Sequence, residues 1–157
     1  MFLLFKCDMM DIGKRGIVMI KEATYQDKDD IFTLMNELEN NTLSKKMFDQ
    51  QYEACMKNEH FYLYIYKDRD IKGCISLYLQ NYLHHQRQTG EIGELIVKKE
   101  YRNQQIGKKL LQFVENKGKE LQLEEISLSS HMKRADAHRF YERHGYIKDH
   151  YSFEKKL

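Results

Sequence analysis

The sequence contains no proline, and its three cysteines, Cys7, Cys55 and Cys74, are widely spaced. An odd number of cysteines without close pairs argues against a disulfide framework and against a cysteine-based zinc site. A reducing cytoplasm is therefore the expected location. No apolar stretch approaches the length of a membrane span, and the opening apolar run stops at Lys6, too early for a signal-peptide core.

Charge of one sign is also lacking. The 26 Lys and Arg residues nearly balance the 24 Asp and Glu residues, so the net charge is only +2. Neither a nucleic-acid partner nor a membrane partner is predicted. The length of 157 residues fits one domain. We expect that domain to span residues 18–157, with residues 1–17 as an N-terminal extension or an added strand.

Hydrophobic periodicity predicts the elements of this domain. Four helices are expected: 27–40, with Ile31, Leu34, Met35 and Leu38 buried; 44–57, with Met47, Phe48, Tyr52 and Cys55 buried; 107–121; and 135–144, stopped by Gly145. Strands are expected over 18–23, 60–66, 71–79, 91–97 and 125–129, with one or two closing strands in 146–156. The strand-helix-strand unit in the middle implies a parallel crossover. The prediction is a mixed α/β (α+β) domain.

A polar loop lies between the strand that ends at Val97 and the next helix. The free N–H groups of a helix's first turn, together with the helix dipole, favour phosphate binding. Gly107 permits a close approach of ligand to backbone, and Arg102 and Lys108 add positive charge. The loop by itself is also compatible with an ordinary strand-to-helix connection.

The segment Tyr101-Arg-Asn-Gln-Gln-Ile-Gly107, after a strand ending in Leu-Ile-Val, resembles the acetyl-CoA signature of the GNAT acetyltransferase superfamily. The common form is Arg or Gln, two residues, Gly, one residue, then Gly or Ala. Gln105 stands where the first Gly is usual, which is expected to cost cofactor affinity unless its side chain points outward. The resemblance implies a mostly antiparallel central sheet flanked by about four helices.

A second block, Ala137-His-Arg-Phe-Tyr-Glu-Arg-His-Gly-Tyr146, resembles the family's Ala-x-x-Phe-Tyr-x-x-x-Gly-Phe element. The resemblance implies that Tyr141 protonates the departing CoA thiolate, whereas the same tyrosine alone would fit core packing. Arg134 stands where many members carry an Asn that contacts the cofactor. The cofactor-binding residues implied in this way are Leu95, Ile96, Val97, Arg102, Asn103, Gln104, Gln105, Ile106, Gly107, Lys108 and Arg134.

Glu91 and Glu94 are the candidates for the base that deprotonates the amine, either directly or through water. Both lie on the strand that resembles the family's central strand. Three residues apart, they face opposite sides of a regular strand, unless a bulge of the kind common in this family turns both to one cleft. We take Glu91 as the base and Glu94 as a substrate contact. Main-chain groups of Leu95 and Val97 are implied to pair with the pantetheine arm.

The acceptor is suggested by a narrower resemblance. His84-His85 before the segment Gly90–Val97, and the segment from Lys133 to Tyr141, resemble the aminoalkylphosphonate N-acetyltransferase family. A phosphonate head favours cationic contacts, and the substrate-binding candidates are His84, His85, Glu94 and His138. Adjacent histidines are not a spacing that specifies a metal, so no metal site is predicted.

These features predict an acetyl-CoA-dependent N-acetyltransferase that works by direct attack in a ternary complex on the amine of a small molecule. No cysteine lies near the motifs, which argues against an acetyl-enzyme. Two alternatives stay open: an aminoglycoside, polyamine or protein amine as acceptor, and a non-catalytic CoA-binding regulatory module. A homodimer is compatible with the family but is not required by the sequence.

Overall fold

The computed structural model describes residues 19–157. The expectation for residues 1–17 therefore lies outside the described residues, and one domain over 18–157 stays a prediction. The chain forms two compact units, one that ends at Ser127 and one from Leu128 to Leu157. Among the described residues, no helix has the length and apolarity needed to cross a membrane.

Residues 19–157 form four α-helices and six β-strands. The strands are β1 Met19–Glu22, β2 Phe61–Asp68, β3 Asp70–Gln80, β4 Thr89–Ile92, β5 Leu95–Val97 and β6 Ile126–Leu128. The helices are α1 Lys28–Leu38, α2 Lys45–Met56, α3 Ile106–Glu120 and α4 Ala135–Arg143. All four predicted helices are thus confirmed to within two residues at each end. The C-cap glycine is confirmed as well, since Gly145 follows α4 with φ of 87°.

The sheet has the order β1-β2-β3-β4-β6, and β5 also pairs with β3. The pairs β1–β2, β2–β3, β3–β4 and β3–β5 are antiparallel. Beside β4, Glu124 N–H donates to Gln88 O and Gly90 N–H donates to Glu125 O. The segment that leads into β6 therefore runs parallel to β4. This parallel sense confirms the predicted crossover, and the sheet is mixed but mostly antiparallel.

The two faces of the sheet are covered by different helices. Leu63, Ile65 and Cys74 form one core cluster with Ile31 and Leu34 of α1 and Tyr52 of α2. Residues of opposite parity on β2 and β3 face the other way, where Tyr64 packs edge-on against Phe113 of α3 with ring centres 4.8 Å apart. The amphipathic pattern therefore predicted the buried faces of α1, α2 and α3 correctly, except that Met47, expected to be buried, is exposed.

Two strand predictions were wrong. The strand expected over 91–97 is two strands, since the pairing with β3 is interrupted between Ile92 and Leu95. The closing strands expected over 146–156 are not formed, as residues 144–157 are all described and contain no strand. The larger apolar side chains of this segment, Ile147, Tyr151, Phe153 and Leu157, are exposed. A strand forms where such side chains pack against neighbours, and here they do not.

Candidate active site

A β-bulge separates β4 from β5. Ile75 pairs with Leu95, and three residues further on Tyr78 pairs with Glu91. Two residues of β3, 76 and 77, therefore oppose three residues, 92–94, on the other strand. This count defines a bulge with one extra residue.

The extra residue puts Glu91 and Glu94 on the same face of the sheet. Directly opposed residues on paired strands point to the same side, so Glu91 shares the face of Tyr78. Glu94 shares the face of Ser76, because the two side chains are hydrogen-bonded. Ser76 and Tyr78 are two residues apart on one strand and so share a face. The bulge that the resemblance implied is present, and it gathers both carboxylates on the side covered by α1 and α2.

Glu94 is bonded closely to β3. Its backbone N–H donates to Ser76 Oγ at 2.9 Å, and Ser76 N–H donates to the carbonyl oxygen of Glu94 at 2.9 Å. Ser76 Oγ–H in turn donates to Glu94 Oε2. Glu91 is half-buried nearby, beside the Tyr78 ring.

The side chains next to these carboxylates include two weak acids that stay neutral, the Cys74 thiol and the Tyr78 phenol. Burial raises the pKa of the Cys74 thiol, and the neighbouring Glu94 raises it further. Burial also raises the pKa of the Tyr78 phenol, which is hydrogen-bonded to Cys55 Sγ at 3.5 Å. Cys55 and Cys74 are free thiols. Both acids keep their protons at neutral pH and offer no positive charge to the two glutamates.

The outer edge of β5 exposes backbone groups. Glu94 O and Lys98 N bond to β3, as does the paired residue Ile96, so Leu95 and Val97 direct their backbone groups away from β3. The Val97 carbonyl accepts a hydrogen bond from Arg102 Nε at 3.1 Å. Among residues 19–157 no strand pairs with this edge of β5, because β6 continues the sheet beside β4.

The loop before α3 is strained where the motif departs from its common form. Asn103 and Gln105 both have left-handed backbone, with φ of 63° and 61°. Gln105 is the N-cap of α3, and its exposed side chain makes no capping hydrogen bond. The motif's preference for glycine at this position thus has a backbone cause, since only glycine adopts φ near +60° without cost.

Arg102 holds this loop to the sheet and to α1. Besides its bond to Val97, its guanidinium donates to Glu37 Oε1 at 3.2 Å, and the same oxygen accepts from Lys99 N–H at 3.2 Å. Gln104, Gln105 and Lys108 are exposed, whereas Ile106, the first residue of α3, is buried. The N-cap of α3 supplies no side-chain acceptor and its first turn contains no acidic residue, so the first amides of this helix are not capped by a side chain.

The histidines expected at the substrate are bonded elsewhere. His85 Nδ1 lies 3.1 Å from Glu124 Oε1, and Glu124 Oε2 accepts from the N–H groups of Gln86 and Arg87, each at 2.9 Å. The bond from Arg87 N–H, then that from His85, holds the pKa of Glu124 below its usual range. His84 is exposed and its ring lies beside that of His85. The described residues contain no group of three metal-ligating side chains.

The smaller unit carries the second motif. Tyr141 lies near the end of α4, with Phe140 and Tyr146 packed edge-on against its ring. Burial raises the pKa of Tyr141, and the positive charge of Arg134 opposes that rise. Arg134 is the N-cap of α4, and His138 Nε2 lies 3.1 Å from the His131 carbonyl oxygen.

Sequence reasoning missed Ser76, Glu37 and Glu124. Ser76 had a visible signal, because it is a small polar residue between Ile75 and Leu77 in the buried middle of the strand. A polar group in such a place needs a buried partner. Glu37 and Glu124 are charged residues without any pattern that distinguishes them from their neighbours.

Comparison with known proteins identifies the family. The family model described as acetyltransferase (GNAT) family matches residues 28–146. The chain therefore belongs to the GNAT acetyltransferase family and is an acetyltransferase enzyme. It is 38% identical over 140 residues to an aminoalkylphosphonate N-acetyltransferase of Salmonella typhimurium strain LT2, covering 88% of this chain and 90% of that relative.

Solved structures share the fold at lower identity. A transcriptional regulator from Bacillus halodurans C-125 superposes with a TM-score of 0.82 at 22% identity, over 89% of this chain and 99% of that one. Glucosamine-6-phosphate N-acetyltransferase from Arabidopsis thaliana superposes with a TM-score of 0.73 at 19% identity, over 89% and 98% of the two chains.

Proposed function

We propose that this enzyme transfers the acetyl group of acetyl-CoA to the primary amine of a small molecule, and that the acceptor is an aminoalkylphosphonate. The observation that carries the proposal is the bulge at 92–94. It places two carboxylates on one face of the sheet, and within residues 19–157 the outer edge of the adjacent strand β5 has no strand partner. A base and an open backbone edge are thereby only a few residues apart.

The described residues fit acetyl-CoA. The first-turn amides of α3 are not capped by a side chain, so they suit a pyrophosphate group, and Lys108 adds positive charge there. The backbone groups of Leu95 and Val97 suit an amide-bearing arm laid along the edge of β5. The contacts expected along Arg102–Lys108 and at Ile96 and Arg134 belong to the same proposal. When bound, acetyl-CoA supplies an acetyl group already activated as a thioester.

Glu91 and Glu94 prepare the amine. An alkylammonium ion has a pKa near 10, by analogy with lysine, and must lose a proton before it attacks. Glu91 accepts this proton through water, and Glu94 contacts the ammonium group. The Leu95 N–H donates to the thioester carbonyl oxygen as negative charge develops on that oxygen. In comparable acyl transfers one such donor stabilises the transition state by about 3 kcal/mol.

Tyr141 donates the final proton in this scheme, a role that rests on the resemblance of its segment. Its raised pKa suits the task, because a phenol kept protonated at neutral pH has a proton to give. Tyr141→Phe is expected to lower kcat about 100-fold, measured by thiol release at saturating substrates. Tyr151→Phe, which alters an exposed tyrosine, is the matched control. Full turnover by the Tyr141 variant would remove that residue from the mechanism.

The acceptor proposal is supported by the 38% identical relative from Salmonella typhimurium, which is named an aminoalkylphosphonate N-acetyltransferase. A dianionic phosphonate needs cationic contacts. The sequence offers His84, His85 and His138 as candidates for these phosphonate contacts, although His85 has Glu124 as a partner.

A panel of amines with acetyl-CoA tests both levels of the proposal. The highest kcat/KM is expected for 2-aminoethylphosphonate, far above propylamine, which carries an amine but no phosphonate. A polyamine or an aminoglycoside that turns over faster would overturn the acceptor assignment and leave the chemistry. Tight CoA binding with no acetylation of any amine would overturn the enzymatic function and favour a non-catalytic module.

A further inference from the structure

Ser76 is a buried hydroxyl in the middle of β3. It is 0% exposed and lies between the apolar residues Ile75 and Leu77. A buried hydroxyl without a partner is costly, so its hydrogen bonds indicate why the position is polar. Within residues 19–157 the side chain of Ser76 hydrogen-bonds only to Glu94: its oxygen accepts from the backbone N–H, and its hydroxyl donates to Oε2.

These bonds act on both the backbone and the side chain of Glu94. The N–H of Glu94 belongs to the bulge, and Ser76 Oγ accepts its hydrogen bond at 2.9 Å. The hydroxyl proton then goes to Oε2, which selects one orientation of the carboxylate. No hydrogen bond to Oε1 is present within residues 19–157.

Gly93 provides the space for this arrangement. A Cβ at Gly93 would lie 2.7 Å from Tyr78 Cε2 and 3.1 Å from Ser76 Oγ. The first distance is shorter than real side chains tolerate. The ring of Tyr78 and the hydroxyl of Ser76 can therefore sit beside the bulge only because residue 93 has no side chain.

We infer that Ser76 is a positioning residue that orients the Glu94 carboxylate toward the amine substrate. The inference rests on the proposed function, in which Glu94 contacts the ammonium group. Ser76 donates to Oε2 and leaves Oε1 for the amine. The Glu94 side chain is thereby held in the rotamer that contacts the amine before the substrate binds. Ser76 itself does not touch the substrate.

A double-mutant cycle tests the inference, with the amine of highest kcat/KM from the panel as the substrate. Ser76→Ala is expected to lower kcat/KM for the amine on the order of tenfold, with the KM for acetyl-CoA unchanged. In a Glu94→Gln background the same change is expected to have an effect of less than about twofold, since Ser76 then has no carboxylate to orient. Ser76→Cys, which retains a weak donor of similar size, is expected to fall between Ser and Ala.

A second measurement separates positioning from folding. Calorimetric titration of the same amine into each CoA-bound variant should show weaker binding to Ser76→Ala than to the parent. Tyr52→Phe is the matched control, because it also removes one buried hydroxyl, which donates to Thr24 O at 2.9 Å, and should leave amine binding unchanged.

The possible outcomes distinguish the two levels. If Glu94→Gln alone leaves kcat/KM for the amine unchanged, the proposed role of Glu94 fails and the inference fails with it. If Glu94→Gln is impaired but Ser76→Ala lowers kcat/KM by the same factor in both backgrounds, the role of Glu94 stands and Ser76 is only structural. A Ser76→Ala variant with unaltered kcat/KM and amine affinity would also overturn the inference.

Discussion

Asp27 and Glu94 are two carboxylates of the larger unit, each held by the hydroxyl group of a nearby residue. Thr24 donates to Asp27 Oδ2 from its backbone N–H at 3.0 Å and from its hydroxyl at 2.9 Å. Lys67 Nζ lies 3.2 Å from Asp27 Oδ1, and Lys21 Nζ lies 3.8 Å from Oδ2. Glu94 has the hydroxyl partner Ser76 but no ion pair with any cation of residues 19–157.

The difference between the two carboxylates indicates which one is left for a ligand. Burial raises the pKa of Asp27, but hydrogen bonds from Thr24 and Lys67 outweigh burial and hold that pKa below its usual range. Asp27 is therefore satisfied within the fold and stabilises the turn of residues 24–27 that leads into α1. Glu94 is hydrogen-bonded to a neutral serine, shares its face of the sheet with the carboxylate of Glu91, and has no cation partner within residues 19–157, so a cation from outside would complete its environment. An ammonium substrate is such a cation.

The largest expected effect is the loss of activity in Glu94→Gln. The charge that contacts the amine is removed while the side chain keeps its size, so kcat/KM for the amine should fall about 100-fold. The melting temperature should change little. Steady-state kinetics and thermal unfolding measure the two quantities, with Glu59→Gln, an exposed glutamate, as the control. Unchanged kcat/KM would remove the contrast with Asp27.

Asp27→Asn should show the opposite pattern, with a loss of stability of about 2 kcal/mol and normal kcat in the folded fraction. Because the pKa of Asp27 is lowered in the folded state, its contribution is fully present above the unfolded-state pKa of about 4. The contribution is lost as pH falls through the lowered pKa. The difference in free energy of unfolding between parent and variant should therefore narrow only below about pH 4. Denaturant unfolding at pH 7 and pH 3 measures it, and a difference that widens in acid would contradict the assignment.

Gly93→Ala tests whether the bulge itself needs the space beside Ser76. The added methyl group meets the Tyr78 ring, so a loss of about 1–2 kcal/mol is expected, together with reduced kcat/KM for the amine. Gly118→Ala is the matched control, because its Cβ would also approach to 2.7 Å, but against the flexible end of Ile126. Alanine is also favoured in a helix interior. Equal losses in the two variants, measured by denaturant unfolding, would show that the bulge has no special requirement.

Gln105→Gly should have the smallest effect, a gain in stability of about 0.5 kcal/mol. The left-handed strain at Gln105 is relieved, and part of the gain is offset by the freedom of glycine in the unfolded chain. Asn103→Gly is the comparison, since asparagine tolerates this backbone better and should gain less. The KM for acetyl-CoA should fall only in the Gln105 variant if the side chain obstructs the cofactor loop. A destabilised Gln105→Gly would show that the side chain contributes a contact.

Much of the fold was predictable because helices and buried strands repeat their apolar residues at fixed intervals. The spacing of Ile31, Leu34 and Leu38 located α1, and a similar spacing located α3. The same reasoning failed for residues 146–156, where alternating apolar residues are exposed and form no strand. Periodicity shows which face of a segment would be buried, but it does not show that a partner is present to bury it.

The sequence by itself determined the family, the helices and the residues around which the site is proposed, because these depend on short-range spacing and on motifs read along one chain. It offered Glu91 as the base and Glu94 as a substrate contact, but it could not say whether the two residues share a face. Only the tertiary structure decided that, since a bulge is defined by the count of residues on a neighbouring strand. The same holds for Ser76, whose partner lies 18 residues away. Likewise, the hydrogen bond between His85 and Glu124 joins residues 39 positions apart, and no local sequence pattern predicts it.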